Sequence, residues 1–356
     1  MSKPIDDTRP VRQGEEVNVA ALESHLRGRL PDLEGALTVE QFPHGHSNLT
    51  YLLRWGGNEW VMRRPPFGNR VKSAHDMGRE HRILSRLCDV YSPAPRPILF
   101  CDDESVLGAP FYVMERRRGV IHRRGPMPLP DAAHVRRLCV ALIDNFAKLH
   151  SLDYRAAGLA DLGRPDGYVE RQITGWTKRY RDAQTENVAD METLITWLPA
   201  HTPPASGASI IHNDYKFDNV MFAADDPDRI VAVLDWEMAT LGDPLMDLGT
   251  TLCYWVEAGD PPAFKETAFG PTHAPGALTR QEVVDRYAEQ SGRPIGDLRF
   301  YYVFGLFKTA VVIQQIYARY VRGHTADKRF ANMNTTVSVL CKQAIQALNR
   351  DHVFAS

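Results

Sequence analysis

The chain has little of what marks a secreted, membrane-spanning or nucleic-acid-binding protein. Its five cysteines, Cys88, Cys101, Cys139, Cys253 and Cys341, are scattered and odd in number, with no Cys-x-x-Cys. That pattern argues against a disulfide framework and offers no zinc-site spacing, so we read them as reduced thiols of a cytoplasmic protein. Residues 1–16 are polar and lack the apolar run of a secretory signal. Neither sign of charge dominates, since 42 Lys and Arg face 44 Asp and Glu for a formal charge of −2. No global field therefore favours nucleic acid or an anionic membrane, and a small-molecule partner is expected instead. The most apolar stretch, 300–321, is interrupted by Gly305, Lys308, Gln314 and Gln315. It falls short of the roughly 18 uninterrupted residues of a membrane span and reads as a buried helix. Also missing are Gly-x4-Gly-Lys-Ser/Thr, Gly-x-Gly-x-x-Gly, His-Glu-x-x-His and Gly-x-Ser-x-Gly, the common nucleotide-loop, zinc-protease and serine-hydrolase signatures.

What is present begins with strands. Leu49, Tyr51, Leu53 and Trp55 alternate, Gly56-Gly57-Asn58 supplies a turn and 59–64 runs back, which predicts a β-hairpin. The loop entering it, 43–48, contains His44 and His46, read as polar loop residues, and is small enough for its amides to approach a ligand. Ser73 to Asp76 resembles a capping box opening a helix in which Glu80 falls on the apolar stripe. A buried acid there wants a cationic partner. Short strands at 98–101 and 111–115 lead to Arg116-Arg-Arg-Gly119, where we place a hinge. Beyond it, helices are predicted over 135–149, 168–183, 280–291, 300–321 and 334–349. The reading is an α+β fold with an N-terminal lobe over 1–115, of which 1–20 is expected to be flexible, and a helical lobe over 116–356.

Two short apolar runs, Ile210-Ile211-His212 and Ile230 to Leu234, each end in acidic residues. They carry the chemistry: His212-x-Asp214-x4-Asn219, followed 21 residues after Asp214 by Asp235 in Val-Leu-Asp-Trp-Glu. Phosphoryl transfer needs a carboxylate to orient and deprotonate an acceptor hydroxyl, and oxygen ligands to hold Mg²⁺ against the phosphates. Asp214 suits the first task; Asn219 and Asp235 suit the second. Arg63 would cross the phosphates of ATP, with Glu80 holding its guanidinium.

These motifs resemble the aminoglycoside phosphotransferase and choline kinase family, relatives of protein kinases, from about His44 to Trp255. Within it, Tyr112-Val-Met-Glu115, Ile210 to Asn219, Val233 to Glu237 and Gly242 to Gly249 are similar to one branch, as are Val61 to Pro66, Arg79 to Leu84 and Leu149 to Asp153. That branch is the phosphotransferase domain of the long acyl-CoA dehydrogenases, such as family members ten and eleven, and of free-standing bacterial relatives. The resemblance implies a protein-kinase-like bilobal fold. It also implies that the backbone at Met114 and Glu115 binds adenine, that Ser47 and Asn48 lie over the phosphates, and that Asp247 braces the catalytic loop, with Lys216 beside the nucleotide; for Asp243 it implies no firm role. The chain departs from the simplest family pattern in having Arg63 where many members carry lysine, Asn213 where glycine is usual and Lys216 where many have histidine.

Set against blander readings, His212 is taken as a structural histidine and His150 as a packing or capping residue. Arg116, Arg117, Arg118, Arg123 and Arg124 are by default a solvated cluster, alternatively a holder of an anionic acceptor such as a CoA thioester. The leading expectation is a phosphotransferase moving the γ-phosphoryl group of ATP, with Mg²⁺, to a hydroxyl of a small molecule. A hydroxyacyl-CoA or an aminoglycoside is the candidate acceptor, with a functional link to an acyl-CoA dehydrogenase. The alternative is a nucleotide-binding pseudokinase acting as an interaction module. A third reading, a metal-dependent phosphohydrolase on His212, Asp214 and Asp235, suffers from the lack of further clustered His and Asp ligands.

Overall fold

Along 49–55 only Thr50 and Arg54 are part-exposed, while Leu49, Tyr51, Leu52, Leu53 and Trp55 are buried in the first hairpin. The computed structural model describes residues 8–30, 33–43, 48–67, 76–123, 131–325 and 327–354. In chain order the first elements are α1 (Val19–Arg27), β1 (Thr38–Gln41), β2 (Leu49–Trp55), β3 (Asn58–Arg64), α2 (Met77–Leu87), β4 (Pro97–Cys101), α3 (Glu104–Leu107) and β5 (Phe111–Glu115). Then come α4 (Ala132–His150), α5 (Tyr168–Ala183), α6 (Ala189–Ala200), β6 (Ser209–Ile211), β7 (Val220–Phe222), β8 (Ile230–Val233) and β9 (Thr240–Gly242). The last are α7 (Pro244–Tyr254), α8 (Pro262–Lys265), α9 (Arg280–Ser291), α10 (Arg299–Val321) and α11 (Met333–Leu348). Two compact units emerge, one of 1–121, 156–159 and 220–238, the other of the remaining residues.

The first unit is built on an antiparallel sheet in the order β1-β2-β3-β5-β4. The β2–β3 register sets Thr50 opposite Arg63 and Tyr51 opposite Met62. Tyr51, Leu53, Trp55 and Met62 pack with Leu22 and Leu26 of α1 in one apolar cluster, the burial that stabilises a sheet face. Within 8–20 several contacts reach the sheet. Arg9 bridges Gln41, the Arg12 amide donates to the Gln41 side chain at 2.9 Å, and the Tyr51 hydroxyl donates to the Glu15 carbonyl at 2.6 Å. The helix cap differs from expectation: Asp76, not Ser73, is the N-cap of α2, accepting from the Arg79 amide at 2.8 Å, while Ser73 lies outside the described residues. An aspartate directly before the first apolar position does the same work as a serine three residues earlier. Strands β7 and β8 join this unit through a bridge between Val120 and Phe222 and a bond from the Val233 amide to the Pro93 carbonyl at 2.8 Å.

The second unit is helical. Helices α7 and α10 cross closely, where a Cβ added to Gly249 would stand 2.1 Å from the Tyr301 carbonyl oxygen and one added to Gly305 would stand 2.4 Å from the Gly249 carbonyl oxygen. Two glycines thus allow backbone-to-backbone contact that no side chain permits. Among the described residues no helix is long and apolar enough to cross a membrane. The polar residues interrupting 300–321 have internal uses: Gln314 donates to the Ala183 carbonyl at 2.9 Å, and Lys308 is described below.

Gly249→Ala and Gly305→Ala should each lower the stability of the protein by about 1–3 kcal/mol or more through overpacking. Gly296→Ala, where an added Cβ meets nothing within 4 Å, should stay within about 0.5 kcal/mol. Urea denaturation decides; equal midpoints for all three would show that the crossing relaxes freely.

Candidate active site

The run from His212 to Asn219 leaves β6 in a turn that its own sequence makes possible. Asn213 has φ 66°, a left-handed conformation that asparagine tolerates better than most residues, which accounts for its standing where glycine is usual. Its side chain is also used, Oδ1 accepting from the Tyr168 hydroxyl at 3.2 Å and from Lys308 Nζ at 3.3 Å. Beneath the turn the buried Asp247 accepts from the amide of His212 at 2.6 Å and of Asn213 at 2.8 Å. Lys308 Nζ donates to the Asn213 carbonyl at 2.7 Å. His150, fully buried at the end of α4, spans Asp247 at 3.2 Å and the Tyr287 hydroxyl at 2.8 Å, so the helix end packs beneath the loop. His212 keeps a structural role, its Nδ1 accepting from the Asp214 amide at 3.3 Å. Asp243, to which the sequence assigned no firm role, is the N-cap of α7 and holds Ser206, whose amide donates to it at 2.7 Å.

Helix α7 contacts the loop along one stripe. Asp247 takes its amides, Thr251 Oγ1 donates to the Tyr215 carbonyl at 3.1 Å, and the Tyr254 hydroxyl donates to Asp214 Oδ1 at 2.8 Å. These positions, spaced i, i+4 and i+7, share a helix face. Lys216 Nζ donates to both oxygens of Asp214, at 2.6 and 2.7 Å, and Asn219 Nδ2 donates to Oδ2 at 2.8 Å and to the Asp214 carbonyl at 2.9 Å. Burial works to raise the Asp214 carboxyl, but the Lys216 ammonium and the Lys216 and Tyr254 hydrogen bonds hold it below its ordinary value. It is an ionised, oriented carboxylate. Because Asn219 spends its amide nitrogen on Asp214, the oxygen Oδ1 is what it can offer a ligand.

In the first unit Arg63, on β3, donates to Glu80 Oε1 at 2.7 Å and to Asp235 Oδ1 at 2.9 Å. Burial would lower its pKa; Glu80, then Tyr112 and Asp235, raise it well above the ordinary value. Asp235 has φ 67°, and the following Trp236 amide donates to Glu80 Oε1 at 3.2 Å. A non-glycine residue in that region carries strain that the Arg63 and Glu80 contacts hold in place. Asn48 Nδ2 donates to Glu237 Oε2 at 2.8 Å; Ser47, His44, His46 and Arg124 lie outside the described residues. Met114 pairs with Val61 and Pro97, and the Glu115 amide donates to the Arg96 carbonyl at 2.9 Å. Arg116 and Arg118 both donate to Glu59 at 2.5 Å, while Arg117 donates to Glu115 at 2.8 Å. That part of the basic cluster has internal partners.

The phosphotransferase enzyme family, by its family model, matches residues 38–280. The chain belongs to that family. Mouse acyl-CoA dehydrogenase family member 10 is 34% identical over 327 residues, covering 90% of this chain and 30% of the relative. The chain thus spans under half the length of that relative. A protein from Ralstonia eutropha described as an aminoglycoside phosphotransferase is 34% identical, with a TM-score of 0.79, covering 93% of this chain and 98% of that one. The choline kinase of Cryptosporidium parvum shares the fold at 12% identity, with a TM-score of 0.62 over 93% of this chain and 96% of its own. A small sheet-based unit and a larger helical one are therefore the kinase-like phosphotransferase fold that the sequence led us to expect.

Three residues escaped the sequence reading in this family member: Tyr254, Thr251 and Lys308. Lys308 alone left a signal, as a charge inside an apolar helix. A further anchor is Arg280, whose buried guanidinium donates to the Trp255 carbonyl at 2.8 Å, to Glu257 at 2.9 Å and to Asp260.

Lys308→Met keeps the volume but removes the ammonium's hydrogen bond to the buried Asn213 carbonyl, so it should cost about 2–3 kcal/mol by urea denaturation; an unchanged midpoint would show that the ammonium does not hold the loop. A second test uses pH. Burial depresses His122 to about 4, and His134 acts in the same direction; burial also lowers His150, opposed by Asp247. Unfolded histidines titrate near about 6.5, so below that pH the unfolded chain binds protons that the folded one refuses, and stability falls with pH. For His122 the window runs down to about 4, with a limiting slope of about 1.4 kcal/mol per pH unit. His122→Gln should flatten the stability curve in that window, and an unaltered curve would refute the assignment.

Proposed function

We propose that this protein is an ATP- and Mg²⁺-dependent phosphotransferase that moves the γ-phosphoryl group to a hydroxyl of a small molecule. The observation that carries the reading is the Asp214 carboxylate, held ionised and oriented by Lys216, Tyr254 and Asn219 on a loop whose backbone is pinned by Asp247. A carboxylate in that state can accept the proton of an acceptor hydroxyl while the hydroxyl oxygen bonds to the γ-phosphorus, the bond from that phosphorus to the β–γ bridging oxygen breaks and ADP leaves with the electron pair.

Asn219 and Asp235 are the residues that would hold the magnesium ion. Asn219 has an amide oxygen to offer, and the Asp235 carboxylate is partly exposed with one oxygen on Arg63. Among the described residues no group of three or more His, Cys, Asp or Glu could hold a metal by itself. When bound, the ion would neutralise charge on the transferring phosphates. Arg63, braced by Glu80, would contact those phosphates, with Ser47 and Asn48 over them, and the backbone at Met114 and Glu115 would receive adenine. Lys216 would turn from Asp214 to the γ-phosphate.

A hydroxyacyl-CoA is the acceptor we favour, on the strength of the match to acyl-CoA dehydrogenase family member 10 along 90% of the chain; a functional link to such a dehydrogenase is part of the proposal. An acceptor screen with hydroxyacyl-CoA thioesters and aminoglycosides, read as ADP release, tests it. Asp214→Asn should lower turnover about 100-fold or more with ATP affinity kept. Nucleotide binding without turnover of any acceptor would leave the pseudokinase reading instead.

A further inference from the structure

We propose that Tyr254 is a positioning residue for phosphoryl transfer, orienting the Asp214 carboxylate from the helix that holds the loop. The inference rests on the reading of Asp214 as the base. Of the side chains that donate to this carboxylate, Lys216 and Asn219 belong to the same loop as Asp214 and would move with it. Tyr254 is different: it ends α7, and its hydroxyl reaches Oδ1 at 2.8 Å. Seven residues earlier on the same face, Asp247 fixes the backbone amides of His212 and Asn213. One rigid element therefore sets both the backbone and the carboxylate of the loop, which ties the plane of the carboxylate to a support outside the loop.

The ring has a second task. Lys216 Nζ lies 4.7 Å from the centroid of Tyr254 and 4.8 Å from that of Phe269, and the two rings meet edge to face at 5.1 Å. The ammonium thus rests against two aromatic faces while it bonds to Asp214. With Lys216 on both oxygens, Tyr254 on Oδ1 and Asn219 on Oδ2, the four lone-pair sites of the carboxylate are filled. To accept a proton, Asp214 must exchange one donor. Lys216, a flexible chain bearing a charge that phosphate attracts, is the donor that can leave, and Tyr254 is the one that keeps the carboxylate aimed once it has gone.

The test uses phosphate release from MgATP, with water as the acceptor, alongside ATP affinity and thermal melting. Tyr254→Phe, which removes only the hydroxyl, should lower kcat about tenfold, since small misplacement of a reacting group is costly. ATP KM and the melting temperature should stay unchanged. Should that variant melt early, Tyr254→Gln, which restores a donor, decides: a rate recovered relative to Phe supports the assignment, and equal loss in both overturns it. A Tyr254→Phe rate equal to that of the parent protein, or a loss seen in KM and melting alone, also overturns it. Asp214→Asn is run in parallel. If it turns over at the parent rate, the reading of Asp214 as the base fails and the inference with it; if it is inactive while Tyr254→Phe is fully active, only the inference fails.

Discussion

The backbone contact of α7 and α10 at Gly249 and Gly305 governs much of what surrounds Asp214. Asp247 lies two residues before Gly249 and Lys308 one turn after Gly305, so the contact that brings the helices together also brings the acid and the ammonium beneath the same loop. Each would be costly to bury alone. Together, with His150 and the amides of His212 and Asn213, they form a network in which the charges have partners. Moving either helix outward by the width of a methyl group would separate these groups and leave polar atoms without partners.

The sheet-based unit solves a related problem with different means. Arg63, Glu80 and Asp235 form a chain of charges in which the guanidinium contacts one buried and one partly exposed carboxylate. A lysine, with its compact ammonium, could not reproduce the planar fork that bonds to both at once. The left-handed backbone at Asp235 belongs to the same arrangement, because the next amide donates to Glu80. Strain at one residue and the charge pairing at another are two sides of one local geometry.

Much of this was legible before the structure. The hairpin, α2, β5 and the helices at 168–183 and 280–291 follow from periodicity, and the run from His212 to Asn219 from residue types whose spacing suits one chemistry. Helix α7 was not predicted. Its residues from Pro244 to Cys253 are all buried, so it lacks the polar face that makes a helix visible in a sequence. Tyr254 and Thr251 were hidden with it. The capping of α2 went wrong because serine and aspartate serve equally at that position, and spacing alone did not choose between them. That β7 and β8 join the sheet-based unit was beyond a linear reading, since the contacts that tie them there come from residues such as Val120 and Pro93, far away in the chain.

Arg280 bears on how such a protein could diversify. Its side chain holds Trp255, Glu257 and Asp260 just after α7, while Arg280 itself begins α9, so both ends of the intervening excursion are stapled at one point. With the ends closed by a buried guanidinium, lengthening the stretch adds little entropy cost, about 0.6 kcal/mol for each doubling. The segment carries Phe269, which lies against Tyr254. Insertions and deletions there can remodel the surroundings of Asp214 while the helix beneath it keeps its register, leaving the chemistry conserved and its neighbourhood open to change.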